Sequence, residues 1–252
     1  MNWEDEGYLL SKKKFRENAI IISAFTKKYG KISGIVYGGT SRKIKNYLQV
    51  GNKIFLLYSS KNRNKLGYLK TEIIEAISPR YFNDKKRSYL ILSIADLLNS
   101  LLPVEESHSN IYLSLDNLIR NLDDKSWPLI YSFWEVNLIK ELGFGFTTDK
   151  TNSSKDILSI NIDNILYKVP KFIINGEIPE NFSKEVINHA LSFTRNLMLN
   201  KFFLPNNLFL PKSRIFFENC FFYYLLIFLT ISNAKYVTIA FDPALLSEIK
   251  LS

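Results

Sequence analysis

The chain of 252 residues has one cysteine, Cys220, and two histidines, His108 and His189. One thiol closes no internal disulfide, and with two separated imidazoles it makes no four-ligand zinc site. No metal and no other cofactor is therefore expected. The same scarcity thins the usual catalytic side chains. There is no GxSxG, no HExxH and no paired-carboxylate constellation, and Gly38-Gly39-Thr40-Ser41 lacks the spacing and the lysine of a P-loop. The chain reads as a binding protein and not an enzyme. A long apolar run is also missing. The longest uncharged stretch, residues 219–234, falls short of the roughly 20 residues that a membrane span needs, so it reads as a buried core helix. The start carries Glu4, Asp5 and Glu6 and no apolar run, so no signal peptide is expected. Together these absences predict a cytoplasmic protein of a reducing compartment, without a membrane partner.

What is present is positive charge, and it is localised. The formal net charge is +9. Residues 1–80 carry 16 Lys and Arg against 6 acids, which is +10, and residues 81–252 carry 17 against 18, which is −1. A uniform compositional bias would have spread the excess. A basic N-terminal unit joined to a nearly neutral body argues for a polyanion partner.

The basic third reads as strands separated by basic turns. Gly7-Tyr8-Leu9-Leu10 is the first run, and residues 12–16 are its turn. Residues 19–25, rich in β-branched side chains, are the second. Residues 32–37, ended by Gly38-Gly39, are the third. Residues 48–58 are the fourth, with Gly51-Asn52 as a bulge signal, and residues 67–73 are the fifth. Five short strands with glycine-bearing turns fit an OB-type β-barrel; an SH3-like barrel would give the same count.

After Ser78-Pro79-Arg80 the period lengthens to that of helices. Helices are expected over 89–102, 110–122 and 127–142, the last closed by Gly143. Residues 147–180 form an irregular insertion, with a short hairpin across Asp163-Asn164. Helices return over 182–200, capped by Ser183, then 212–233 and 243–249. The fold class is α+β: an N-terminal barrel domain, 1–79, followed by a mainly helical domain, 80–252.

Lys12, Lys13, Lys14, Arg16, Lys27, Lys28, Lys31, Arg42, Lys43 and Lys45 are the candidate phosphate contacts, because they sit in turns of one small barrel. Lys61, Arg63 and Lys65 belong to the same set of loops. Phe15, Tyr29 and Tyr47 lie in or beside those turns and are the candidates for stacking on bases. Phe25 and Phe55, in the most apolar runs, are expected in the core.

The opening stretch also carries a resemblance. Trp3, Asp5, Glu6 and Gly7, then Arg16-Glu17-Asn18, Phe25-Thr26 with Gly30, Gly38 to Lys43 and Gln49-Val50-Gly51 resemble, in order, the start of the bacterial DNA repair protein RecO family. Phe133-Trp134-Glu135, Leu142-Gly143-Phe144-Gly145 and Leu210-Pro211-Lys212-Ser213-Arg214 resemble its helical part. One departure is clear: many members carry a cysteine zinc site after the Leu-Gly-Phe segment, and residues 147–176 hold no cysteine. The resemblance implies a non-catalytic recombination mediator in DNA repair. It would bind single- and double-stranded DNA through the barrel and anneal complementary strands. Its implied partners are RecR, the C-terminal tail of the single-stranded DNA-binding protein and, indirectly, RecA. Its implied place is the bacterial cytoplasm, at the nucleoid. From the residues alone, a general OB-fold RNA- or tRNA-binding protein is the alternative.

Overall fold

The computed structural model describes residues 1–61, 66–146 and 153–221. Its first part is a closed barrel of β1 (Asn2–Arg16), β2 (Ala19–Thr26), β3 (Gly30–Tyr37), β4 (Lys53–Ser59) and β5 (Gly67–Glu75). The strand order is β1-β2-β3-β5-β4, closed by β4 on β1. A short helix, α1 (Arg42–Tyr47), links β3 to β4. This is the OB-type arrangement, and closure leaves no open sheet edge around the barrel itself. Its interior holds Leu9, Ile22, Ala24, Leu48, Ile54 and Leu56, all fully buried.

Three expectations for the barrel are corrected by the fold. Residues 12–16 are not a turn. They continue β1 as a strand in register with β2, Lys12 opposite Ile22 and Lys14 opposite Ile20. The β-branched run of β2 supplies the pairing surface, and that tertiary partner outweighs the poor strand preference of lysine. Nor is the fourth strand continuous from Leu48. Ser41 caps α1 by accepting from the Ile44 N–H, and Gly51 at φ 89 breaks the chain again before β4. Asn52 then acts as a hub: its side chain accepts from the N–H groups of Ile77 and Ser78 and donates to the Tyr47 carbonyl. Phe25 is fully buried as expected, whereas Phe55 is only half-buried on the outside of β4.

The rest is helical. After a 3-10 turn at Ser78–Tyr81 come α2 (Lys85–Leu101), α3 (Ser109–Arg120) and α4 (Trp127–Ile139). The chain past α4 widens into one π-type turn and leaves it at Gly143, φ 90, so that glycine does end the element. The expected hairpin exists as β6 (Ile157–Ile162) and β7 (Ile165–Pro170), turning at Asp163 and Asn164 with φ 51 and 66, the two positive angles of a type I′ turn. Then follow α5 (Lys171–Asn175), α6 (Lys184–Met198), which Ser183 caps, and α7 (Lys212–Asn219). The helix expected over 212–233 ends at Asn219, with Cys220 and Phe221 in a turn; residues 222–233 of it, the 243–249 helix and all but the start of the 219–234 run lie outside the described residues. Among the described residues no helix is long and apolar enough to cross a membrane.

At the centre of the helices sits a fully buried ion cluster. Arg214 of α7 meets the Glu135 carboxylate of α4 through Nε at 2.5 Å and Nη2 at 3.0 Å, and reaches Glu218 through Nη1 at 3.0 Å. Tyr131 and Thr194 each donate a hydroxyl to Glu135, both at 2.5 Å. Arg195 approaches Glu218 at 3.0 Å. The cluster therefore ties α4, α6 and α7 together.

The barrel and the helices share buried surface. Tyr8, Leu10 and Phe25 face out of the barrel into the helical core. Asp116 of α3 anchors this junction, accepting from Tyr8 at 2.6 Å and from Lys53 at 2.9 Å. Burial would raise the Asp116 carboxyl, but the Tyr8 and Lys53 hydrogen bonds, with the Lys53 and Arg120 charges, outweigh it and hold it below the ordinary value. A carboxylate held low in the native state binds its proton more tightly in the unfolded chain. Its contribution is complete above the unfolded value, about 3.9, and is lost as pH falls through the native one. Asp116→Asn is expected to destabilise by about 2 kcal/mol at neutral pH. In urea titrations across pH, the gap between wild type and variant should close toward acid. A gap independent of pH would remove the charge from this account.

Candidate nucleic-acid interface

Two features of β1 build the basic end of the barrel. Residues 2–8 pair with β4, but residues 11–16 have only β2 beside them among the described residues. The far half of β1 is therefore a ribbon with one free edge, and its residues 12–16 are all exposed. Lysines on such an edge also block pairing with another strand. The turn at its tip meets the end of β3, where the Gly38 N–H donates to the Asn18 carbonyl, and α1 runs back from there toward Lys12. Thus Lys12, Lys13, Lys14 and Arg16 share one end of the barrel with Arg42, Lys43 and Lys45.

The other candidates are elsewhere. Lys27 and Lys28 sit in the β2–β3 turn, and Lys31 lies just inside β3. The eight residues of β2 separate the two ends by roughly 25 Å. At this far end two of the three cations have partners: Lys27 lies 3.9 Å from Glu6, and Lys31 donates to the Asn99 carbonyl of α2 at 2.7 Å, while Lys28 is held through its backbone N–H, which donates to Asp5. Burial lowers the Lys31 ammonium from its ordinary value.

At the near end Lys12 is also tethered. Its ammonium donates to the Leu48 carbonyl at 2.5 Å, and it is held below its ordinary value by partial burial and then by the charge of Lys45. Lys13, Lys14, Arg16, Arg42, Lys43 and Lys45 are exposed, and none forms an ion pair with a described acid. Like charges gathered without acidic partners repel one another, and a strand of phosphates relieves that repulsion while releasing counterions. Lys61 is exposed; Arg63 and Lys65 lie outside the described residues.

The three aromatic candidates part company. Tyr29 has one ring face covered by Trp3, centroids 4.1 Å apart, and Trp3 stacks in turn on Tyr58 at 4.8 Å. Tyr47 is half-buried and donates its hydroxyl to the Thr71 carbonyl at 2.6 Å. Phe15 is exposed beside the basic ribbon, with the Arg16 guanidinium 5.2 Å from its ring centroid. Sequence reasoning passed over another pair, Tyr37 on β3 and Tyr68 on β5, whose exposed rings stack at 5.4 Å.

With this geometry in place, the comparisons are specific. The family model described as Recombination protein O N terminal matches residues 1–77, and that described as Recombination protein O C terminal matches residues 83–200. The DNA repair protein RecO of Roseobacter denitrificans is 30% identical over 172 residues, covering 68% of this chain and 69% of that protein. The chain belongs to the RecO family. The DNA repair protein RecO of Rickettsia canadensis is 28% identical over 235 residues, covering 86% of this chain and 96% of its own. That of Caulobacter vibrioides is 30% identical over 172 residues, covering 68% and 69%. The N-terminal match takes in the whole barrel, including the basic ribbon and α1. The C-terminal match ends at α6, before Arg214.

No zinc cluster is available to the hairpin within the described residues, where no three His, Cys, Asp or Glu side chains gather as ligands. Cys220 lies near the end of the described chain, at the C-cap of α7, far in sequence from β6 and β7.

Proposed function

We propose that this protein is a non-catalytic DNA-binding recombination mediator in DNA repair, which anneals complementary strands and helps load recombinase on single-stranded DNA. The observation that carries this is the exposed cation group on the β1 ribbon and α1, paired with no acid among the described residues, in a chain whose entire basic excess lies in residues 1–80. Lys13, Lys14, Arg16, Arg42, Lys43 and Lys45 hold phosphates and leave bases free. That division suits annealing, because phosphate contacts position a strand without reading it. Residues 1–79 act as the DNA-binding part and the helices as the part that meets other proteins. By family resemblance those are RecR, the tail of the single-stranded DNA-binding protein and, through them, RecA, in the bacterial cytoplasm.

The test is annealing of complementary strands coated with their own binding protein, with the full chain and with magnesium present. Faster duplex formation with every strand intact is the expected result. Strand cleavage would make it a nuclease, and strong competition by RNA over DNA would favour an RNA-binding module.

A further inference from the structure

Resting on the reading of the barrel as a DNA-binding surface, we infer that Tyr37 and Tyr68 form a base-stacking platform that holds single-stranded DNA beside the basic ribbon. The pair exists because of how the barrel closes. β3 and β5 run parallel and pair over only Gly34 with Gly67 and Ile35 with Tyr68. Gly34 lets β5 close on β3, since a Cβ there would lie 2.6 Å from Leu69, and Gly67 leaves room for the Tyr58 ring of β4, 2.3 Å from where its Cβ would sit. Gly67 is buried and Tyr68, next to it, points outward. Tyr37 ends β3 on the same outer surface.

The rings lie 23° from parallel, and Tyr37 is 58% and Tyr68 46% exposed. A pair serving only the core would bury those faces. Polyanion chemistry is adjacent. Arg16 and Tyr37 occupy the same rung across β2, since Ala19 pairs with both. The Tyr68 hydroxyl raises the Tyr37 phenol from its ordinary value, and the Arg16 charge opposes that. On the other side Tyr68 walls an open groove of about 500 Å³ with Trp3, Glu4, Leu57, Tyr58 and Lys70. A strand with its phosphates on the ribbon can lay a base on the tyrosines and continue along this groove. A duplex cannot, because its bases are already stacked inside the helix, so the occupant is single-stranded.

The experiment uses the full chain with oligo(dT), with a duplex of equal length and with oligo(U), at several salt concentrations. Tyr37→Leu and Tyr68→Leu keep apolar bulk without a π-face. Each is expected to weaken oligo(dT) binding roughly ten-fold, with the salt slope and duplex affinity unchanged. Tyr37→Phe and Tyr68→Phe should bind as wild type, since stacking needs the ring and not the hydroxyl. The inference is overturned if the Leu variants bind oligo(dT) as wild type, if they lose oligo(dT) and duplex equally, or if oligo(U) binds more tightly than oligo(dT). Lys13→Ala with Lys14→Ala reports separately on the phosphate contacts. If that variant loses both DNA forms while the Leu variants lose neither, the DNA-binding reading stands and the stacking platform falls.

Discussion

Arg214→Ala is expected to destabilise the helical part by about 3–5 kcal/mol. The reason is the company it leaves behind. Glu135 is fully buried and Glu218 nearly so, and without the guanidinium Glu135 keeps the Tyr131 and Thr194 hydroxyls and no cation among the described residues. Glu218 keeps Arg195. A buried carboxylate with no cation must either carry the desolvation cost or take a proton. Burial already raises the Glu218 carboxyl above its ordinary value against the opposing charges of Arg214 and Arg195. A carboxyl raised in the native state holds its proton more tightly folded than unfolded. Stability is therefore lost as pH rises from the ordinary value, about 4.3, through the raised one. The Arg214→Ala deficit should accordingly grow from pH 5 to pH 8. Pairing Arg214→Met with Glu135→Leu should recover much of the loss, because an apolar pair of similar volume carries no such cost. Thermal melts of wild type and both variants at both pH values check this. A deficit that is flat with pH and not recovered by the pair would mean that Arg214 acts through packing alone.

Removing Lys13, Lys14 and Arg16 together, each to Ala, is expected to cost on the order of a hundred-fold in affinity for single-stranded DNA at 0.1 M salt. Each phosphate contact on a single strand contributes about 0.7 to the slope of log affinity against log salt, so three should lower it by about two. Fold should be preserved, because these side chains are exposed and make no ion pair with a described acid. Lys27→Ala with Lys28→Ala, at the other end of β2, should change the slope little. Titrations of oligonucleotides of mixed and uniform sequence at several salt concentrations read both quantities. Equal losses on every sequence are expected, since phosphates carry no sequence.

Much of this architecture is legible in the residues. The run of Ile20, Ile21 and Ile22 marks β2, Asp163-Asn164 marks a tight hairpin, and Ser183 marks the start of α6, because each depends on near neighbours. What escaped depends on partners far away. Lysines at 12, 13 and 14 look like a turn until β2 offers them a pairing edge. The helix α1 is six residues long with none buried, so it has no apolar period to read. The division of the cations into two ends follows from strand register and length, which no local pattern contains. Tyr37 and Tyr68 meet only through a parallel pairing of β3 with β5. Glu135 and Arg214 are 79 residues apart, and nothing around either announces the other. Both lie in stretches that carried the family resemblance, which was visible before its physical reason was.

The most direct test of where DNA sits is the acetylation rate of each lysine amine, read by mass spectrometry on the full chain with and without saturating oligo(dT). The expected result is protection of Lys13, Lys14, Lys43 and Lys45, with Lys27 and Lys28 unchanged. Protection of Lys27 and Lys28 with Lys13 and Lys14 left reactive would contradict the account and place the strand at the opposite end of the barrel.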